Sequence, residues 1–570
     1  MEFFDTRRTQ TINLAVNIIS NPFEFLIREK NQLLVSEAVI GPINQLIEIV
    51  SVTQKRMRDS NEILQADNLW DARKKMLCNF PISTQQIDLD CRGKGPSLAS
   101  LDFQLNQILI EGLVEEVHRH TKLRKNANAL RLHGTWVDAV KCVWLSDVLA
   151  LLVLGIARFS DRSNAKNLYV VPVSKHTERN LRSLWFANEF EQLSIRYANV
   201  KIGLWAEASC NPETRGEEIR RLEMDVLYSI ALHWRFGGEK LFLDFSHSLI
   251  WPIMRLLREV KINSGYTNPK PISRADAIRV GAQAVFDHIV ERAALKCVVD
   301  SLFLFNGEGL LLGDRLEIRG IIELAEEMAS KVCGVEWHDW VSDAQESYVI
   351  DRLRKNPKLE IYDFQLTKDH TIEKVAVDVD FWVKDLTTRE VFAIQIKHFL
   401  SNKYGGLKCW LRHLRSRGKG TESGLAKGVA QIENVRFLVR HDAKVRAHLQ
   451  KNGLGVDSLN SIHPVLLHNH GSIDFMQLQE GVLLYDTNTF CNLLDRRKGV
   501  AMHLVGARAV EYSVFGAGGK FVKLSDPESV IKAYIFDENI PDLRDFDLAQ
   551  AIRRSFNLGP CNVSADGFGI

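Results

Sequence analysis

The chain has 570 residues, more than one hydrophobic core accommodates, so two or three domains are expected. With 45% hydrophobic and 25% charged residues it has the make-up of an ordinary soluble globular protein. A formal net charge of +2 excludes a polycation, so any affinity for nucleic acid must come from local patches.

Residues 1–20, MEFFDTRRTQTINLAVNIIS, lack a basic segment followed by a long apolar one and a small-residue cleavage site, so no export signal is expected. Helical periodicity dominates residues 1–160; in INQLIEIVSVTQKRMRDSNEILQ, Ile43, Leu46, Ile47 and Val50 share one stripe. The most apolar run, 142–159, carries Asp147 and only about ten uninterrupted apolar residues, against roughly twenty needed to cross a bilayer. It reads as a buried core helix. From about 167 the pattern turns mixed α/β. NLYVVPV and NVKIGLWAE read as short buried strands around the helical TERNLRSLWFANEFEQLSIRY, followed by the helical GEEIRRLEMDVLYSIALHWRF, the strand-like KLFLDFSH and further helices. SLFLFNGEGLLLGDRLEIRG predicts hairpin strands about Asn306 and Gly307 and about Gly313 and Asp314. Between about 320 and 497 the order is helix, helix, strand, strand, strand, helix, strand, strand, helix. The tail holds a Gly-rich hairpin, VFGAGGKFVKL, and an acidic stretch, DENIPDLRDFD.

The expected architecture is therefore multidomain α/β. Residues 1–160 form a helical region, 161–325 a mixed α/β region for recognition or partner binding, 326–497 an α/β domain with a central mixed sheet flanked by helices, and 498–570 a C-terminal extension. The nine cysteines are scattered and never stand as C-x-x-C, which points to a reducing compartment rather than a zinc site or disulfide framework. A cytoplasmic protein that does not enter membranes is expected.

The chemistry concentrates in VDVDFWVKDLTTREVFAIQIKH, 377–398. Alternation puts Val375, Val377, Val379, Phe381 and Val383 on one face and Ala376, Asp378, Asp380 and Trp382 on the other. In the next strand Phe392, Ile394 and Ile396 oppose Val391, Ala393, Gln395 and Lys397. The polar KDLTTRE between them has hairpin length, so the strands are expected to be antiparallel neighbours that gather Asp380, Gln395 and Lys397 on one side. Charges on so apolar a sheet are costly unless paired or liganded. A plain salt bridge from Asp380 to Lys397 on a solvent-facing surface is the competing reading. Upstream, SDAQESYVIDRLRKNP reads as a helix with Ser342 as N-cap, Gln345 closing a capping box and Pro357 beyond its end. Glu346 lies on its buried stripe with Val349, Ile350 and Leu353.

Asp380, 14 intervening residues and then Gln395-x-Lys397, set between a helix and a following helix, resembles the core of the PD-(D/E)XK nuclease superfamily. The glutamine form is similar to its Mrr-like restriction endonuclease branch. The resemblance covers roughly residues 335–497. It implies a restriction-endonuclease-like fold in which Glu346 is supplied by the helix before the first strand and Gln431 faces the site from the helix after the lysine strand. It also implies a magnesium-dependent phosphodiester hydrolase, Mn²⁺ substituting for Mg²⁺. The ligands would be Asp380, the amide oxygen of Gln395, the backbone carbonyl of Ile396 and Glu346, with Lys397 beside the attacking water. Asp378 is the reserve acid. Glutamine in place of an acid removes one negative charge and leaves a catalytically silent site as an open alternative.

Lys403, Lys408, Arg412, Arg415, Arg417, Lys419 and Lys427 follow at once, with Glu422 the single acid in NKYGGLKCWLRHLRSRGKGTESGLAKG. Beside such a site they suit phosphate contacts, which fix position without reading bases; a solvated loop is the plainer reading. LHNHG, DFSH and GAGG lack the surroundings that would make them sites, and the basic EVHRHTKLRKNANALRLHG reads as a solvated helix face, with nucleic-acid or partner contact the alternative. The expected function is a metal-dependent DNA endonuclease, by analogy a bacterial restriction or phage-defence effector, working as a homodimer or with a partner subunit bound through the N-terminal half. The alternatives are a silent nucleic-acid-binding scaffold and a nuclease of RNA or repair.

Overall fold

The structure is a computed structural model. It describes residues 148, 151–152, 156–163, 167–234, 246–264, 270–296, 302–305, 307–312, 318–333, 336–397, 425–455, 459, 461–478, 481–495, 503–505, 508–510, 523–535, 553–558 and 561–566. Expectations for residues 1–147, the Gly-rich hairpin and the acidic tail stretch lie outside these residues.

In the apolar run at 142–159, Val148, Leu151 and Leu152 are helical and buried as expected, but the run ends in strand β1 (Ala157–Phe159). Strand β2 (Asn167–Pro172) pairs antiparallel with it and leads into α1 (Lys175–Cys210), a helix of 36 residues. Ser174 caps α1 by accepting the Thr177 amide at 3.1 Å. The expectation of a strand at NVKIGLWAE is corrected, because it is the last part of α1. Ala198, Ile202, Trp205 and Ala206 are buried at helical spacing while Val200 and Leu204 face outward, a pattern of period 3.6 rather than 2.

Helices α2 (Gly216–Trp234), α3 (Trp251–Ser264), α4 (Arg274–Arg279) and α5 (Gln283–Lys296) follow, then the expected hairpin of β3 (Phe303–Phe305) and β4 (Leu310–Leu312). Helices α6 (Ile318–Cys333) and α7 (Glu336–Arg354) come next. The C-terminal part of α1 packs with α2 to α6 in one helical core that also takes in Val341 of α7. Burial of Val341 accounts for a second correction. Helix α7 starts at Glu336, six residues before the expected cap, so Ser342 lies inside it and Gln345 closes no capping box.

The C-terminal half is mixed α/β, a six-stranded mixed sheet flanked by helices. It comprises β5 (Leu359–Tyr362), β8 (Phe381–Asp385), β9 (Val391–Lys397), β10 (Ile462–His468), β11 (Met476–Gln477) and β12 (Leu483–Asp486), in the order β11-β12-β10-β9-β8-β5. A short ribbon of β6 (Leu366–Thr367) and β7 (Asp378–Val379) stands beside it. β5, β8 and β9 form an antiparallel meander, and β9, β10 and β12 run parallel. Between β9 and β10 lie α8 (Leu425–Ile432), α9 (Val435–His441) and α10 (Ala443–Lys451); α11 (Thr487–Leu494) follows β12. The expected order of elements from 320 to 497 is present in outline, with the β6–β7 ribbon, the helices α9 and α10 and the short β11 added to it.

Phe381, Val383, Phe392, Ile394, Ile396, Val465, Leu467, Leu483 and Tyr485 make one face of the sheet. They pack on Val349, Ile350 and Leu353 of α7, on Phe490 of α11, and on Phe186 and Ala187 of α1. Helix α8 covers the other face against β9 and β10. Burial on both faces explains the continuous apolar runs in these strands. Helix α1 thus contributes to both cores. Its Asn180, buried, donates to the Gln477 carbonyl at 2.9 Å and accepts the Gln477 amide at 3.1 Å, so a side-chain amide stands where a further strand would pair with β11.

Beyond the sheet, β13 (His503–Val505) and β14 (Arg508–Val510) pair antiparallel. Helix α12 (Pro527–Ile535) buries Val530 and Ile531 in the sheet core. The last strands, β15 (Arg553–Leu558) and β16 (Cys561–Asp566), close a second sheet in the order β1-β2-β16-β15, with β16 parallel to β2. Among the described residues no helix is long and apolar enough to cross a membrane.

Candidate active site

Strands β8 and β9 pair Phe381 with Ile394 and Val383 with Phe392, the antiparallel neighbours expected from the short polar turn. The pairing is interrupted at Asp380. Its amide donates to the Ile394 carbonyl at 2.8 Å although Phe381 is already opposite Ile394, so two residues of one strand face one of the other. This is the pattern of a β-bulge, which bends a strand and re-aims its side chains. The single strand expected over 375–383 is corrected accordingly. The chain pairs as β7 with β6, passes the bulge and resumes as β8.

The bulge leaves room for the Asp380 carboxylate in the line of the sheet. One oxygen accepts the Ile396 amide at 2.7 Å, and both accept from Gln395 Nε2 at 3.2 Å. Because the amide and carbonyl of one strand residue point to the same edge, the Ile396 carbonyl faces this side too. Gln395 is 2% exposed, and its Oε1 is buried with no hydrogen-bond partner. The amide expected to offer oxygen thus presents its nitrogen to Asp380.

Lys397, at the carboxyl end of β9, is half-buried, and burial lowers its pKa while Asp380 and Asp378 act in the opposite sense. It makes no ion pair within 4.0 Å among the described residues, so the plain salt bridge to Asp380 does not form. Gly428 of α8 makes its position possible. A Cβ there would stand 3.0 Å from Lys397 Cγ and 2.7 Å from Leu466 Cδ1. One turn further along α8, Gln431 Nε2 donates to Asp378 at 2.8 Å. The reserve acid is therefore tied to the helix that was expected to face the site.

Glu346, half-buried on α7, lies within electrostatic reach of Asp378 and Asp380. Burial raises its pKa, and Asp363, Asp343 and Asp378 raise it further. Burial likewise pushes Asp380 up to about 7, with Glu346 and Asp378 adding to the rise; the Ile396 amide and Lys397 oppose it. Asp380 and Asp378 thus act on Lys397, and Glu346 on Asp380, at the carboxyl end of β9, the end of the parallel strands at which open α/β sheets bind ligands.

Among the described residues no three His, Cys, Asp or Glu side chains are grouped to hold a metal. The donors that nevertheless suit a hard divalent cation are the Asp380 carboxylate, the Ile396 carbonyl and the orphaned Gln395 Oε1 once the amide turns over; Glu346, within electrostatic reach of Asp380, would be a fourth. Lys427 is exposed on α8 and its charge reaches Lys397. Lys403, Lys408, Arg412, Arg415, Arg417 and Lys419 lie outside the described residues.

Sequence reasoning missed three participants. Asp363, just after β5, acts on Glu346; Gly428 makes room for Lys397; and His468 stands level with Lys397 on β10. The letters of LHNHG gave His468 no role, because its place beside Lys397 depends on parallel pairing across 70 residues. Compared with known proteins, the chain matches no family model, no curated protein and no solved structure.

Proposed function

We propose that the chain is a metal-dependent endonuclease of the PD-(D/E)XK kind that hydrolyses phosphodiester bonds of DNA. The observation that carries this reading is the convergence of Asp380, Gln395 and Lys397 at the bulge between β8 and β9, with the Asp380 carboxylate fixed by the Ile396 amide. Asp380, Gln395, the Ile396 carbonyl and Glu346 would hold Mg²⁺, or Mn²⁺ in its place. Such an ion supplies charge stabilisation at the phosphoryl oxygens and a more acidic water.

The chain's own groups do the rest. Asp380, held protonated up to about pH 7 by burial, would have to give up that proton to serve as a ligand. Lys397, its pKa lowered by burial, orients the attacking water, exchanges a proton at Nζ and offsets charge growing on the phosphoryl group. Gln431 holds Asp378 beside the lysine, where that carboxylate favours the charged ammonium. Lys427 and the basic segment before it contact phosphates and set the register of the strand.

The remainder of the chain recognises a DNA feature, a partner subunit or a ligand, and two copies supply two sites for two strands. We place the protein in the cytoplasm as a bacterial restriction or phage-defence effector; an RNA or repair nuclease would use the same residues. One observation favours a second reading, a silent nucleic-acid-binding scaffold: Gln395 turns its nitrogen toward Asp380. Metal-dependent cleavage of plasmid DNA, lost on replacing Asp380 or Lys397 by alanine, distinguishes the two.

A further inference from the structure

Next to Glu346 on α7 stands a glutamine that solvent does not reach. Gln345 is 0% exposed, and its Nε2 donates to Thr487 Oγ1 at 3.1 Å. The same hydroxyl donates to the backbone carbonyl of His468 at 3.0 Å. His468 ends β10 and is the ladder partner of Lys397 on β9. Thr487 is itself fixed as the first residue of α11, whose N-cap Asp486 accepts the Asn488 and Thr489 amides at 3.0 and 3.2 Å. A continuous chain of contacts therefore runs from the strand level of Lys397, through one hydroxyl, to the residue beside Glu346.

A buried amide is costly where an aliphatic side chain would fill the space, and Gln345 does not satisfy itself fully: its Oε1 has no hydrogen-bond partner. What the amide adds over methionine is direction. Its hydrogen bond adds a directional link between α7 and the ends of β9 and β10, beside the apolar packing of Val349, Ile350 and Leu353 and the Arg352–Asp495 ion pair. We propose that Gln345 is a positioning residue for Glu346, holding that carboxylate over the strand ends through Thr487. The inference rests on the nuclease reading above and names a residue on which its metal affinity depends.

The test uses the full chain and Mn²⁺ binding followed by the paramagnetic resonance of free Mn²⁺, with circular dichroism melts as the check of folding. Gln345→Met and Thr487→Val keep volume and remove the link; Thr487→Ser keeps the hydroxyl. The first two should weaken Mn²⁺ binding about tenfold, the usual scale for groups that orient a ligand, while Thr487→Ser binds as the wild type does. Glu346→Gln should weaken binding at least as much, and adding Gln345→Met to it should cost nothing more. Should Gln345→Met not fold, the Thr487 pair carries the test.

Wild-type affinity in Gln345→Met and Thr487→Val, with loss in Glu346→Gln, overturns the positioning role and leaves the nuclease reading standing. Independent, multiplying losses in the double variant overturn it as well. A folded wild type that binds no Mn²⁺ removes the nuclease reading and this inference together.

Discussion

The Asp380 carboxylate accepts the Ile396 backbone amide at 2.7 Å, so a side chain supplies to β9 a hydrogen bond that an unbroken neighbouring strand would have supplied through its carbonyl. The bulge that permits this also brings the carboxyl out of water and beside Glu346 and Asp378.

The first consequence concerns pH. Asp380, near 3.8 in an unfolded chain, is pushed up to about 7 by burial and then by its acidic neighbours. The folded protein therefore holds a proton that the unfolded chain releases, and the Asp380 contribution to metal-free stability should fall as pH rises from about 4 to 7 and then level off, while His463, lowered to about 4 by burial, contributes in the opposite direction. Asp474, fully buried and raised by burial and by Asp486, acts in the same direction as Asp380. The Asp380 part is read by difference: in urea unfolding with chelator, Asp380→Asn should exceed the wild type by about 2–4 kcal/mol near pH 8 and match it near pH 4. A constant difference across that range would contradict the assignment.

Placing an acid at position 395 should act oppositely with and without metal. Gln395→Glu places a carboxylate where an amide now donates to Asp380, so the metal-free melting temperature should drop by several degrees. With the extra charge, the Mg²⁺ concentration for half-maximal cleavage should fall about tenfold. Unchanged metal dependence would show that position 395 does not meet the cation.

Gly428 is expected to tolerate no methyl group. In Gly428→Ala the new Cβ meets Leu466 and Lys397, and overpacking of this kind costs about 1–3 kcal/mol. Since Lys397 is one of the two neighbours that must yield, cleavage should fall further than stability predicts. Chemical denaturation and a cleavage assay on the same preparation check this; full activity in a destabilised protein would remove the link to Lys397.

The alternation of residues 391–397 made the sheet face of Gln395 and Lys397 legible, and the short turn made the antiparallel register legible, because both are local. The bulge at Asp380 was not, since nothing in DVDF distinguishes a bulged strand from a straight one until its partner is placed. Helix α7 reaches back past Ser342 because Val341 is buried in a core built by distant helices. Likewise the parallel pairing of β16 with β2 joins segments about 400 residues apart, beyond any pattern of neighbours. Gln431 was expected at the site from resemblance, but that its partner is Asp378 follows only from the packing of α8.

The amide of Asn180 is a structural counterpart to these site groups. Removing it leaves the Gln477 amide and carbonyl without their partner at the sheet edge, and Asn180→Ala should cost about 1–3 kcal/mol in equilibrium unfolding. A smaller change would mean that water replaces the amide at no cost.

Asp380 and Lys397 are proposed to form a site that cuts DNA. Supercoiled plasmid incubated with Mg²⁺ and the full chain should be converted to nicked and linear forms by the wild type, and about a hundredfold more slowly or not at all by Asp380→Ala and Lys397→Ala, with DNA binding retained. Equal nicking by all three proteins, or a wild type that binds the plasmid and leaves it intact, would contradict the claim.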